Sequence, residues 1–164
     1  MSMHENWRRM RLYAPAKINL DLRVLGRRAD RFHEVRTILQ TIELRDVVIV
    51  AARRGPFTVR SRTPAMPKDR DNLVWSAGAV LWRALERSGT PHGIAVTITK
   101  RIPSAAGLGG ASSDAAATLT ALKRLWGLDM DAAQLRSIAS LIGSDVSFFI
   151  DGGTALCKGR GEIV

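Results

Sequence analysis

The chain has 164 residues and a net charge of +10, from 25 basic and 15 acidic residues. Its 46% apolar and 24% charged residues exclude a disordered chain and are typical of a folded domain with a core. The positive charge favours anionic partners such as nucleic acid or phosphorylated small molecules, and a solvated arginine-rich surface explains it equally well.

Other classes of protein do not fit the sequence. No apolar stretch approaches the roughly 18 residues of a membrane span, and the first residues, MSMHENWRRMRLY, lack the apolar core of a secretory signal. The single cysteine, Cys157, cannot form an internal disulfide, and no Cys/His cluster has zinc-ligand spacing. We therefore expect a cytoplasmic protein without membrane contacts, in which Cys157 is a small buried side chain.

The first predicted element is a half-buried strand over KINLDLRVLG, where apolar and polar residues alternate. Its apolar face comprises Ile18, Leu20, Leu22 and Val24, and its polar face comprises Lys17, Asn19, Asp21 and Arg23. Further strands are predicted at VVIVAA, FTVRS and IAVTIT. Residues 61–72 contain two prolines and are predicted to form a loop.

Three helices are predicted after that loop. The first covers DNLVWSAGAVLWRALERSG, buries one side formed by Val74, Ala77, Leu81 and Leu85, and ends at Gly89. The second runs from about Ser112 to Trp126 and ends at Gly127. The third begins with a capping box of Asp131 and Gln134 and stops at Gly143.

The last apolar runs, VSFFI and TALCKG, are typical of closing strands. The predicted fold class is therefore α+β, with an early run of strands followed by helices mixed with strands. Trp75, Trp82 and Trp126 are expected to pack in the core or at its rim. His4 and His92 have no partner at a useful spacing and are expected at the surface.

A loop rich in glycine and serine, PSAAGLGGASSDAA, lies between the strand IAVTIT and the second helix. It is not a Walker A loop, because it contains no lysine, and not a dinucleotide fingerprint, because Ser112 stands where a third glycine is needed. Its glycines permit close backbone approach, and Ser112 and Ser113 open a helix whose free N–H groups attract anions. The local pattern fits either a phosphate site or a strand-to-helix turn with a serine cap.

The loop resembles the second motif of the GHMP kinase superfamily, roughly P-x-x-x-G-L-G-S-S-A-A, when Gly110 and Ala111 are treated as an insertion. The matching residues are Pro103, Gly107, Leu108, Gly109, Ser112, Ser113, Ala115 and Ala116. Two further stretches, PAKINLDLRVLGRRADRFHEVRTILQ and LIGSDVSFFIDGGTALCKGRGE, resemble motifs of the members that phosphorylate a cytidine-diphosphate-linked methylerythritol. The three stretches occur in the family's order and span most of the chain.

The resemblance implies transfer of the γ-phosphoryl group of ATP, with Mg²⁺, to a hydroxyl of the methylerythritol unit, in the non-mevalonate route to isoprenoid precursors. Asp145 matches the catalytic aspartate, which would take the proton from that hydroxyl, and Lys17 matches the lysine paired with it. Asn19 could orient the hydroxyl. Without the resemblance, the sequence favours a turn residue after Gly143 for Asp145 and a solvated strand lysine for Lys17.

The resemblance also implies an ATP site. The residues assigned to it are Pro103, Gly107, Leu108, Gly109, Gly110, Ser112 and Ser113 around the triphosphate, with Asn72 and Lys100 near the adenine. Ser112 or Ser113 could approach the Mg²⁺. Asn72 could equally be a helix cap, and Lys100 a surface strand residue.

The stretch RFH matches the part of the family motif that contacts the cytosine end of the substrate. Phe32 would stack on the pyrimidine ring, and His33 would hydrogen-bond its edge. The family has a glycine where this chain has Arg31. If that glycine requires a positive φ, Arg31 strains the turn; if not, Arg31 adds a cation near the diphosphate.

By resemblance, residues 1–164 are a GHMP-kinase-type nucleotide-binding domain, an α+β fold whose sheet and helices form two layers like those of a ribosomal-protein domain. The family's second domain, with a third glycine-rich motif, is absent from the sequence. We expect half of a kinase that acts on a small molecule rather than nucleic acid and that self-associates through the surface left uncovered. Two alternatives stay open: another small-molecule kinase of the superfamily, and a basic RNA-binding module on the same fold.

Overall fold

The computed structural model describes residues 9–61 and 71–164. In chain order the elements are β1 (Arg9–Arg27), β2 (His33–Pro56), β3 (Thr58–Ser61), α1 (Leu73–Ala84), β4 (His92–Thr99), α2 (Gly110–Leu125), α3 (Ala132–Ser140), α4 (Ser144–Asp151) and β5 (Thr154–Cys157). This order confirms the predicted α+β class. His4 and most of the loop predicted at residues 61–72 lie outside the described residues.

The strands form one sheet in the order β1-β2-β4-β3, and β5 pairs with the first part of β2. Neighbouring strands are antiparallel except for β3 and β4, which are parallel and joined through α1. Among the helices of the described chain, none combines the length and apolar character that a membrane span requires.

The main core lies between one face of the sheet and the helices. Alternate β-branched residues of the central strands, Val48 and Val50 on β2 and Val96 and Ile98 on β4, are completely buried, as the period of a strand requires. Leu119 and other apolar residues of α2 pack against them. The burial of these side chains fixes α2, and with it the loop at its N-terminus, over the centre of the sheet.

The tryptophans and the cysteine confirm the expectations for them. Trp82 is buried, with Trp126 edge-on to it at 5.5 Å between ring centroids, and Trp75 packs at the edge of the core. His92 is exposed, as predicted, and also meets the Trp82 ring at 4.8 Å. Cys157 is fully buried, and burial raises the pKa of its thiol.

The prediction of a strand at VSFFI is wrong. These residues belong to α4, in which Val146 and Phe148 are fully buried against the neighbouring elements. A run of five residues of which four are apolar fits a buried strand and a buried helix equally well by its pattern alone. The strand that pairs with β2 here is β5, which confirms the second predicted closing strand, TALCKG.

Three predicted helix boundaries also differ. The third helix, α3, ends at Ser140, whereas Gly143, its predicted stop, has an extended backbone (φ 178°) and is the N-cap of α4. The first helix, α1, ends at Ala84 rather than at Gly89, because Glu86 adopts the left-handed conformation (φ 55°) and the Arg87 N–H bonds to the Trp82 carbonyl at 3.3 Å. The second, α2, starts at Gly110, two residues before Ser112. By contrast, the α2 stop at Gly127 and the Asp131 capping box of α3 are confirmed.

The burial predicted for β1 is wrong, although the strand itself is confirmed. The side chains of Ile18, Leu20, Leu22 and Val24 are 37–62% exposed. Leu12 packs against the core and Ala14 and Ala16 are fully buried, but beyond Ala16 no residue of β1 belongs to a hydrophobic cluster of the described chain. The apolar face of this part of β1 therefore has no apolar element packed on it, and Lys17 is the buried side chain.

Candidate active site

The polar face of β1 carries a buried lysine that is paired with an aspartate. The Nζ of Lys17 lies 3.6 Å from Oδ2 of Asp145 and donates to Oδ1 of Asn19 at 2.8 Å. Asn19 in turn donates to Oγ1 of Thr37, which bonds to the Asp21 carbonyl at 2.7 Å. Lys17 is only 7% exposed and therefore not a solvated strand lysine, and Asp145 lies in the first turn of α4 rather than in a turn between elements.

The glycine loop is attached directly to this lysine. The Lys17 N–H donates to the Leu108 carbonyl at 2.9 Å, so β1 and the loop are joined backbone to backbone. Gly109 has φ +70°, and a Cβ there would meet Phe149 Cε2 at 2.9 Å and Lys17 Cγ at 3.1 Å. The position therefore requires glycine for two reasons. A side chain disfavours the left-handed backbone conformation, and its Cβ would collide with Phe149 and Lys17.

A cleft of about 350 Å³ opens between the loop and the start of α1. From the family-implied ATP residues it brings together Pro103, Leu108, Gly109, Gly110, Ser112, Asn72 and Lys100. Asn72 is also the N-cap of α1, accepting the Val74 N–H at 2.9 Å, so the helix-cap alternative is observed and the adenine contact stays a prediction. Gly107 and Ser113 do not line the cleft, and the buried Oγ of Ser113 has no hydrogen-bond partner among the described residues.

Lys100 is not a surface residue but the centre of a buried cluster of charges. Its Nζ donates to Oδ2 of Asp46 and, at 2.8 Å, to Oδ2 of Asp114. Asp46 Oδ1 also accepts the Ile102 N–H at 2.9 Å, which ties β2 to the segment leading into the loop. Burial raises the pKa of Asp114 to about 7, and the neighbouring Lys100 ammonium offsets only part of that rise.

The hairpin between β1 and β2 presents the residues matched to the cytosine contact. Phe32 is 54% exposed, and His33 is exposed as well. The guanidinium of Arg160 lies over the Phe32 ring, 5.0 Å from its centroid. Arg31 has φ 69°, so the turn does place a non-glycine residue in the left-handed conformation. Of the two consequences foreseen for Arg31, the strained turn is therefore the correct one.

Within the described residues no cluster of His, Cys, Asp and Glu side chains could hold a metal ion by itself. A model of the GHMP kinases N terminal domain matches residues 72–153, half of the chain. The chain belongs to the GHMP kinase family. The matched segment contains Asp145 and every residue that lines the cleft except Asp71, whereas Lys17 and Asn19 precede it.

Similar proteins are named as one type of GHMP kinase. The 4-diphosphocytidyl-2-C-methyl-D-erythritol kinase of Heliobacterium modesticaldum is 48% identical over 157 residues, which are 94% of this chain and 49% of the relative. That of Gloeobacter violaceus is 46% identical over 156 residues, 94% of this chain and 50% of the relative. A crystal structure of 4-(cytidine 5'-diphospho)-2C-methyl-D-erythritol kinase matches with a TM-score of 0.74 at 37% identity, covering 94% of this chain and 53% of that one. The chain thus spans about half the length of the relatives it matches.

Sequence reasoning missed several polar residues of this GHMP kinase site. Asp46 and Asp114 both contact Lys100, and Thr37 supports Asn19. One signal was available for Asp114: it is a lone charge in the alanine-rich run of a helix that must be buried. Asp46 gives no such signal, because its partners lie 54 or more residues away in sequence.

Proposed function

We propose that the protein transfers the γ-phosphoryl group of ATP to a hydroxyl of 4-diphosphocytidyl-2-C-methyl-D-erythritol, a step of the non-mevalonate route to isoprenoid precursors. The observation that carries this proposal is the Lys17–Asp145 ion pair, attached to the glycine loop through the Lys17 N–H. The names of the relatives supply the substrate. We propose residues 1–164 as the nucleotide-binding domain of this kinase and the cytoplasm as its location.

In this proposal Asp145 accepts the proton of the attacking hydroxyl. A carboxylate oxygen within reach of the hydroxyl is the kind of group that acts as a general base. The side chain of Asp145 is 34% exposed, so a substrate can reach it, whereas Lys17 is enclosed at 9%. Lys17 also provides positive charge where the reaction builds negative charge, and Asn19 holds the ammonium in place through its Oδ1.

The cleft beside the glycine loop is proposed to hold ATP. The N-terminus of α2 supplies free N–H groups and the positive end of its dipole for the triphosphate, next to Gly107, Gly109 and Gly110. Asn72 and Lys100, which also line the cleft, are proposed to meet the adenine. Two N–H donors of the Lys100 ammonium are already bound to carboxylates, so only its remaining donor is available to a nucleotide.

The serines at the start of α2 fit a magnesium ion held mainly by ATP. Mg²⁺ takes oxygen ligands and few of them from protein when a triphosphate is present. Ser112 lines the cleft, and the buried Oγ of Ser113, which has no hydrogen-bond partner among the described residues, is an oxygen ligand available to the ion. When bound there, the ion would neutralise charge on the phosphates.

The small-molecule substrate remains the expected partner. An RNA-binding module needs neither the buried Lys17–Asp145 pair nor the cleft, so nothing in this geometry favours that alternative. Self-association stays a prediction; it would use the exposed apolar side chains of β1, which include Leu20, Leu22 and Val24.

The test is an ADP-release assay with the cytidyl substrate. Because the relatives are about twice as long, the chain is assayed after fusion to the C-terminal half of the Heliobacterium modesticaldum relative. Asp145→Asn should lower kcat by about 10²-fold or more, the scale of a lost general base, and leave ATP affinity largely unchanged. Lys17→Ala should cost a similar order, about 10²-fold, through lost charge stabilisation.

The matched control is Asp151→Asn, which removes the same charge from the other end of α4, where Asp151 pairs with Arg136 at 2.7 Å. This control should retain nearly full turnover. Normal kcat in Asp145→Asn would eliminate the proposed base. If the fusion binds ATP but phosphorylates a different alcohol, the kinase activity is supported and the proposed substrate is excluded.

A further inference from the structure

The turn after β5 is fixed against the base of the β1–β2 hairpin. The Val35 N–H donates to the Gly159 carbonyl at 2.7 Å, and the Gly159 N–H donates to Oε1 of Glu34 at 3.2 Å. The turn itself is closed by paired backbone bonds between Lys158 and Ile163. Arg160, the next residue after Gly159, is therefore held in a defined place beside the hairpin.

The side chain of Arg160 covers one face of an exposed aromatic ring. Its guanidinium lies 5.0 Å from the Phe32 centroid, and this contact leaves Phe32 54% exposed. The carboxylate of Glu162 lies 3.7 Å from the Arg160 Nε, which is beyond hydrogen-bond distance. In the described part of the chain, the guanidinium N–H groups thus have no hydrogen-bond acceptor, and the side chain remains 34% accessible.

Arg28, another arginine close to the hairpin tip, differs in this respect. It donates from Nη1 to Glu34 and from Nε to Asp30 at 3.1 Å. Two carboxylates therefore neutralise it, and it has little capacity left for an anionic ligand. Arg160 has one carboxylate near it, that of Glu162, and at 3.7 Å from Nε this ion pair leaves the guanidinium N–H donors without a hydrogen-bond acceptor among the described residues.

We propose that Arg160 binds the phosphate groups of the cytidine-diphosphate-linked substrate and holds Phe32 in position to stack on the base. This inference rests on the proposed function, which places the cytidine end of the substrate at Phe32. A guanidinium binds phosphate through paired N–H donors and packs against an aromatic face at the same time. The base would take the open face of the ring, opposite Arg160, and the phosphates would extend to the guanidinium edge.

The experiment is calorimetric titration of the chain with CDP, cytidine and ATP. Arg160→Gln should weaken CDP binding by about tenfold or more, because a charged bidentate contact to phosphate is lost. Cytidine binding should weaken only about two- to threefold, since it loses nothing but the support of the stacking ring. Arg160→Lys keeps the charge without the planar group, so its CDP affinity should lie between those of Arg160→Gln and the unaltered chain. ATP affinity should not change in any variant.

Lys158→Gln is the matched control, because it removes one positive charge from the same exposed turn without touching Phe32. It should change CDP affinity by less than about twofold, as expected for an exposed surface charge that is screened by salt and makes no direct contact. CDP affinity of Arg160→Gln equal to that of the unaltered chain would overturn the inference. Equal losses for CDP and cytidine would overturn the phosphate contact. If the unaltered chain binds ATP but not CDP, the cytidine-diphosphate-linked substrate on which this inference rests is overturned.

Discussion

The close approach of Gly109 to Lys17 and Phe149 predicts how two glycine substitutions in one loop will differ. Gly107 and Gly109 have nearly the same left-handed backbone, with φ +71° and +70°. A Cβ at Gly107 would meet nothing within 4 Å, whereas one at Gly109 would lie 2.9 Å from the Phe149 ring and 3.1 Å from Lys17 Cγ. Gly107→Ala therefore adds backbone strain alone, and Gly109→Ala adds the same strain plus a collision.

The strain of a left-handed alanine costs about 1–2 kcal/mol. Forcing a methyl group into occupied space typically costs about 1–3 kcal/mol more. Gly107→Ala should thus lower the free energy of unfolding by about 1–2 kcal/mol and Gly109→Ala by about 2–5 kcal/mol. The collision also displaces Lys17 from Asp145, so Gly109→Ala should reduce turnover of the fused enzyme as well.

Urea unfolding followed by circular dichroism measures the difference, and the ADP-release assay measures the functional effect. The comparison within one loop cancels the common backbone term. Unfolding free energies that agree within about 0.5 kcal/mol, the usual error of additivity, would show that nothing presses on Gly109. That result would reduce the glycine at this position to an ordinary turn residue.

Three further predictions concern stability and use the same unfolding measurement. Because the pKa of Asp114 is raised from 3.8 to about 7, the folded chain holds a proton that the unfolded chain releases, and the free energy of unfolding falls as pH rises between those values. Asp114→Asn should remove this fall and be more stable than the parent at pH 8 by roughly 1–3 kcal/mol. A pH profile of the variant that runs parallel to that of the parent would contradict this prediction. Arg31→Gly should stabilise by about 1 kcal/mol by relieving φ 69°, whereas Arg27→Gly within β1 should not. Asp131→Ala should cost about 1 kcal/mol by removing the capping box of α3, and a loss no larger than that of the exposed Asp129→Ala would disprove the role of the cap.

Local patterns predicted most of the elements because their signals are short-range. The β-branched runs of β2 and β4 and the Asp131 capping box each lie within a few residues of sequence. The segment VSFFI failed because its length and composition fit two structures, and the choice was made by packing against elements far away in sequence. The end of α1 failed because a glutamate, not a glycine, adopts the left-handed conformation there.

For the site, the family motifs predicted the pairing of Lys17 with Asp145, and the fold brings the two side chains to 3.6 Å. The charge balance around Lys100 could not be predicted, because Asp46 lies in β2, Lys100 follows β4 and Asp114 lies in α2. Buried polar contacts of this kind join segments that are far apart in sequence, so no short stretch of the sequence predicts them.

The most instructive error is the burial of β1, since the strand is predicted correctly but its apolar face is not covered. Ala14 and Ala16 share one face and are fully buried, whereas no later residue of β1 belongs to a hydrophobic cluster of the described chain. Lys17, on the other face, is buried through its contacts with Asp145 and the glycine loop. An alternating pattern shows which residues share a face, and it does not show whether another element packs on that face. Local rules are expected to fail where a chain gives up regular packing to place a functional group, and β1 does so at the residue that the proposed chemistry requires.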